Sequence, residues 1–179
     1  MNTSKINLTA AIAAAFLVIA VIFSADSEWY LVFKAIHVSF AVIWIGGGAL
    51  LTILALIAER RNDPAELATI ARQAAMVGEK LFSPAAIVVL AAGIGMMVNG
   101  DLDWGAFWVS FGLLGFASTF IVGIAVLAPM SKKIVALTES QGVAAPETQA
   151  AIAKILVVAR FDVAVLLLVV LDMVLKPFS

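Results

Sequence analysis

The chain has 179 residues, 64% of them apolar and 13% charged, with a mean hydropathy of +1.12. Soluble domains carry roughly 45–50% apolar and about 25% charged residues, so the composition excludes an ordinary soluble globule and points to a bilayer as the solvent. Absence of cysteine excludes disulfides, iron–sulfur clusters and thiolate metal sites. The single histidine excludes a His-rich cage, and a net charge of −1 argues against nucleic acid as a partner.

A membrane-crossing helix needs about 20 mostly apolar residues, and five such runs stand in chain order: 8–23, 35–58, 81–98, 106–128 and 155–175. The first follows Lys5 and precedes Ser24 and Ala25, so it reads either as a retained helix or as the apolar part of a signal peptide. Phe23 sits badly in a cleavage site, and the retained helix is the reading adopted. After the second run, Asn62-Asp63-Pro64-Ala65-Glu66 has the form of a helix start, with Asp63 as cap and Pro64 in the first turn. Leu67, Ile70, Ala74, Val77 and Leu81 follow at helical spacing, so this helix runs along the bundle foot before entering the membrane, with a kink expected at Pro84. A second long connector runs from Pro129 to Pro146, broken at Gly142. Gly46, Gly47, Gly93, Gly112, Gly115 and Gly123 are expected to mark close helix contacts.

Cations gather in cytoplasmic loops of membrane proteins. Lys5, Arg60, Arg61, Arg72, Lys80, Lys132, Lys133, Lys154 and Arg160 fall on one side of the five runs, and Lys34 and Lys176 on the other. The pattern predicts an all-α, polytopic transmembrane bundle of one domain covering 1–179, with its N-terminus inside, its C-terminus outside, and a bacterial inner-membrane location. Its evident partner is lipid; a homodimer or a larger membrane complex is compatible with its apolar faces. Trp29, Tyr30, Trp104 and Trp108 flank the outer side and read as an interfacial aromatic belt.

Ionisable groups inside a span are costly and are the first place to look for function. Lys34 and His37 are three residues apart on one helical face, and Asp172 and Lys176 are four apart near the end of the last run. Two readings stay open. In one, Asp172 joins Lys34 or His37 in a polar clasp, or Lys34 and Lys176 snorkel to the interface. In the other, His37 is an axial ligand of haem b, or a ligand of copper, beside the close-approach slot of Gly46 and Gly47, with Met96, Met97 or Met173 as second ligand. Asp162 is read as half of an inner-surface ion pair or cap with Arg160, in preference to a proton relay. The sequence contains no phosphate loop, HExxH, Ser/His/Asp arrangement or paired carboxylates, and so gives no support to a hydrolase or kinase.

The order Lys34-Ala35-Ile36-His37, Trp44-Ile45-Gly46-Gly47, Glu79-Lys80-Leu81-Phe82-Ser83-Pro84, Gly93, Trp104, Pro129 and Met173-Val174-Leu175-Lys176-Pro177 resembles the DUF2269 family of predicted bacterial integral membrane proteins, from about Tyr30 onward. The resemblance implies a four-helix core to which the first run is an addition. The opening is also similar to that of CopD copper-resistance proteins and HemJ-type protoporphyrinogen oxidases. By the HemJ resemblance, a haem-binding histidine would fall on His37. That family also uses a lysine on a later helix, which the matching stretch from Trp104 to Leu114 does not contain, so oxidase activity is not expected. The leading expectation is a cofactor-binding protein for electron transfer or cofactor handling. An accessory subunit held by the clasp is the second, and a small transporter the third.

Overall fold

The computed structural model describes residues 28–178, and the predicted run 8–23 lies outside them. The described chain is helical throughout, without strands, and folds as four long helices: α1 (Trp29–Arg60), α2 (Pro64–Asn99), α3 (Phe107–Gln141) and α4 (Pro146–Leu175). The first three have 32, 36 and 35 residues and are long and apolar enough to cross a membrane. At about 1.5 Å per residue they reach about 48–54 Å, well beyond an apolar core of about 30 Å. Runs 35–58, 81–98 and 106–128 therefore lie within longer helices. In α4, Lys154, Arg160, Asp162 and Asp172 interrupt the apolar stretch.

Local chemistry explains where the helices start and stop. The α1–α2 turn closes on Asn62 in the left-handed region at φ 52°. Asp63 then caps α2 by accepting the Glu66 N–H at 2.9 Å, with Pro64 in the first turn, as its residues predict. α3 ends at Gly142, whose φ of 86° favours glycine. Thr148, fully buried, donates its hydroxyl back to the Gly142 carbonyl at 3.1 Å. This end of the bundle, the foot, holds Arg60, Arg61, Arg72, Lys132, Lys133 and Lys154. Around it run ion pairs from Arg72 to Glu139, Lys132 to Glu79, Lys133 to Glu147 and Arg160 to Glu59, which tie α2 to α3, α3 to α4 and α4 to α1. Beneath them lies an apolar cluster that includes Ala58, Leu67, Ile70, Ile134, Ile152 and Leu156, beside a smaller cavity of about 70 Å³.

At the opposite end the helices pair off, α1 against α2 and α3 against α4. Glycine notches receive rings and branched chains there. Phe33 lies on Gly95, Tyr30 on Gly100, Met173 on Gly112 and Val169 on Gly115. The expected close contacts at Gly47, Gly93, Gly112 and Gly115 are present, with Phe82 on Gly47 and His37 on Gly93. Gly46 and Gly123 depart from expectation, since a methyl added at either meets nothing within 4 Å. Trp29 and Trp104 are exposed as a belt residue should be, whereas Trp108 is buried with Met97 and Val109.

Each of the first three helices contains one π-helical segment: Val42–Gly46, Gly78–Phe82 and Gly123–Leu127. The last two share a sequence cause. A glycine stands six residues before a proline in both, Gly78 before Pro84 and Gly123 before Pro129. Proline has no N–H and its ring crowds the carbonyl four residues back. The helix relieves this by widening one turn earlier: Ser83 and Ala128, each just before the proline, donate their N–H groups to the Gly78 and Gly123 carbonyls five residues back. The kink expected at Pro84 thus takes the form of a widened turn.

Candidate functional site

The polar groups singled out in the sequence are dispersed. On α1, His37 bonds through Nδ1 to the Val89 carbonyl at 2.8 Å, so Nδ1 carries the proton and donates it. The imidazole lies against Gly93, where a methyl would meet Nδ1 and Cε1 at 3.2 Å. Lys34 extends over the Tyr30 ring, 5.9 Å from its centroid. Asp172 faces α3 instead, with 6% of its surface exposed, and its carboxylate accepts no hydrogen bond among the described residues. Lys176 ends α4 in the left-handed region and places its ammonium 4.7 Å from the Trp108 centroid. The hydrogen bond from Lys34 or His37 to Asp172 is therefore not made. The two groups face different partners, α2 for His37 and α3 for Asp172.

The same contacts test the haem and copper readings. A flat cofactor needs an open slot beside its ligand, but Phe82 covers Gly47 and the imidazole itself fills the notch at Gly93. Met97 and Met173 pack into the apolar cluster around Trp108. Among the described residues, no three His, Asp or Glu side chains gather. These contacts lend no support to a haem or copper ion at His37 with Met97 or Met173 as second ligand.

What the helices do frame is a partly open cavity of about 150 Å³ between the foot cluster and the paired end. All four helices line it: α1 through Trp44, Gly48 and Thr52, α2 through Gly78, Phe82 and Ser83, α3 through Thr119 and Gly123, and α4 through Asp162 and Leu166. Every π segment contributes to this wall, and Gly48, Gly78 and Gly123 leave space where side chains would otherwise fill it. Cavities this size hold several waters or one small molecule, and π segments frequently accompany functional sites.

Asp162 is the single ionisable group in the described wall. Its Oδ1 is buried with no hydrogen-bond partner. The expected pairing with Arg160 does not occur, because residues two apart on a helix point nearly opposite ways. Arg160 turns to α1 and donates to Glu59, leaving Asp162 to face the axis. Four hydroxyls line the same space, and three of them give their proton to a backbone carbonyl: Thr52 to Gly48 at 2.9 Å, Ser83 to Gly78 at 2.9 Å, and Thr119 to Gly115 at 3.0 Å; the fourth, Ser131, is buried. The sequence signal for this site was the repeated glycine-to-proline spacing together with an acid in the last apolar run. Neither resembles a catalytic motif, and the second had been read as an ion pair.

The family model described as a predicted integral membrane protein, DUF2269, matches residues 31–177. No curated protein and no solved structure matches the chain, so the wider similarity to CopD and HemJ-type proteins is not shown.

Proposed function

The chain belongs to the DUF2269 family of predicted integral membrane proteins, and on that premise we propose that it binds a small polar solute inside the membrane, in the axial cavity with Asp162 as anchor. One observation carries this reading. The Asp162 side chain lines a cavity framed by all four helices, and its Oδ1 is buried without a hydrogen-bond partner. Leaving a buried charged acceptor unsatisfied costs several kcal/mol in general, and ionisable groups within membranes mark solute or proton paths. The cationic foot favours the cytoplasmic side of a bacterial inner membrane, which puts the cavity in the inner half of the bilayer and makes the C-terminus external. Such a site suits a carrier or a sensor better than a catalyst, since the described wall holds a single acid and no second ionisable group to act as a base.

Thermal unfolding of the full-length chain in mild detergent tests the reading, using a panel of small cations, anions and neutral amides. A solute that binds the folded protein alone stabilises it by about 2.7 kcal/mol at 100 times its Kd. At least one class of solute is expected to raise the Tm of the wild type in a saturable way and to leave Asp162→Leu unmoved. A panel with no effect on the wild type overturns the proposal.

A further inference from the structure

Resting on that reading of the cavity, we propose that the protein is a carrier and not a sensor. Its solute route continues from the Asp162 cavity along the seam of α3 and α4 to Asp172, and the ring contact of Trp44 with Phe116 is the gate between the two acids. A sensor needs one site, whereas a carrier needs a second station beyond a barrier.

Both acids stand on α4. Toward the paired end its order is Asp162 in the cavity wall, then Leu166, then Val169 seated on Gly115, then Asp172 and Met173 against Gly112. Ten residues separate the two acids, about 15 Å along the helix axis. Asp172 is 6% exposed, and both of its carboxylate oxygens are buried without a hydrogen-bond partner. No cation of the neighbouring stretch of α3 can pair with it, since no ionisable residue stands between Phe107 and Met130. Lys176, one turn on, holds its ammonium 4.7 Å from the Trp108 ring centroid. A buried acceptor left open costs free energy, and a purely structural Asp172 would return a bond for that cost. Ionisable groups within membranes mark solute or proton paths. Because α4 ends at Leu175, this second station lies within one turn of the outer end of the bundle.

Between the levels of the two acids the helix pairs meet through aromatic rings. Trp44 of α1 stands edge-on to Phe116 of α3, with centroids 5.5 Å apart and planes at 74°. Phe116 stacks on Phe120, one turn nearer the foot, with centroids 5.6 Å apart. Trp44 and Phe120 belong to the cavity wall, and Phe116 adjoins Gly115, the seat of Val169. The Trp44–Phe116 contact therefore lies on the outward side of Asp162 and the inward side of Asp172. Its backbone support on α1 can yield. Trp44 stands in the π segment Val42–Gly46, and a methyl added at Gly46 or Gly48 meets nothing within 4 Å.

The chain has no cysteine, so a single introduced thiol reports access without background. Thr119→Cys puts the reporter in the cavity wall, at a residue 3% exposed. Phe178→Cys, at a residue 88% exposed, identifies vesicles that carry the paired end on their outer face. Membrane-impermeant methanethiosulfonate reagents, one cationic and one anionic, are added outside such vesicles holding the full-length chain, and the rate of modification is measured. With both rings in place the Thr119→Cys reporter should react slowly. Trp44→Ala and, separately, Phe116→Leu should each speed the reaction by up to about tenfold, the shift in a two-state equilibrium that one aromatic contact governs, while circular dichroism reports intact helices. In these opened variants the cationic reagent should react faster than the anionic one, and Asp172→Asn should narrow that preference. A reporter that reacts equally fast with the rings intact, or stays equally slow without them, removes the gate and overturns the proposal. A preference unchanged by Asp172→Asn takes Asp172 off the route and overturns it too. The readout needs no solute, so the two readings fail separately. A solute that raises the Tm of a protein whose reporter stays closed leaves the site standing and ends the route; a gate that opens in a protein no solute stabilises ends the solute site, and the carrier with it.

Discussion

The foot of the bundle and the level of the cavity just above it are built from the same four helices, yet they differ in burial and in the size of the space they leave, about 70 Å³ against about 150 Å³. At the foot, Ile134, Ala58 and Thr148 are fully buried, the apolar cluster joins all four helices, and the turns are closed by side-chain caps. At the cavity the helices widen into π segments, three glycines leave open space, and a carboxylate oxygen has no partner. Local stability in a protein is uneven, and sites that bind or move are drawn from its less stable parts. The difference teaches that the bundle is held together by its ends, which frees its middle to depart from close packing.

The strongest way to break this contrast is to remove its anchor. Ile134→Ala empties the centre of the foot cluster and should cost about 2–5 kcal/mol of unfolding free energy, read from reversible denaturation in detergent. A loss below about 1 kcal/mol would mean that the foot is not the stabilising end. At the cavity the sign should reverse. Asp162→Leu replaces an unsatisfied acceptor with an apolar side chain, and is expected to stabilise the fold by about 1–3 kcal/mol while eliminating solute binding. A substitution that gains stability as it loses function is the ordinary signature of a working site. If Asp162→Leu instead destabilises the protein, the carboxylate is part of its structural framework.

His37 sharpens the contrast from the other side, because it is a polar group on an apolar helix whose Nδ1–H has a partner. His37→Ala removes a hydrogen bond to Val89 and the ring that fills the Gly93 notch, for an expected cost of about 1–2 kcal/mol. It should leave solute binding in the cavity unchanged, as His37 does not line it. A change in binding without a change in stability would link the two regions after all.

That pair also shows what was legible in the sequence. The four hydrophobic runs within residues 28–178, the cap at Asp63, the break at Gly142 and four of the six close-contact glycines follow from local chemistry, and the helices built on them are present. The site did not follow, because the sequence displays polar residues but not their partners. His37 stood out as the chain's lone histidine and is occupied by a backbone carbonyl. Asp162 stood beside Arg160 and looked paired, until the two-residue offset sent Arg160 to Glu59 on another helix. Gly78 and Gly123 carried readable information in their spacing to Pro84 and Pro129, which reports a widened turn without saying what the widening encloses.

Neighbouring glycines offer a smaller test on the two sides of one helix. Alanine is favoured over glycine in a helix interior by about 0.5–1 kcal/mol. Gly48→Ala should gain that amount, since its methyl meets nothing within 4 Å. Gly47→Ala should gain nothing or lose stability, since its methyl runs into the Phe82 ring. Equal effects at the two positions would mean that the α1–α2 contact is looser than its geometry.

The smallest effect belongs to the exposed rim of the foot. Glu147 sits in the first turn of α4, where the Gln141 amide donates to it at 3.3 Å and the Lys133 ammonium lies 3.3 Å away. The Gln141 hydrogen bond first, and Lys133 second, hold its carboxyl below the ordinary value of 4.5. A carboxyl lowered in the folded state contributes stability that is complete above its unfolded value, and that stability disappears as pH falls through the folded one. Wild type should therefore be slightly more stable than Glu147→Gln at neutral pH, and the difference should shrink only below 4.5. Because the pair is open to solvent, added salt should shrink it too. A difference that persists in acid and in salt would show that Glu147 supports the foot by packing, extending the rigid end of the molecule out to its charged rim.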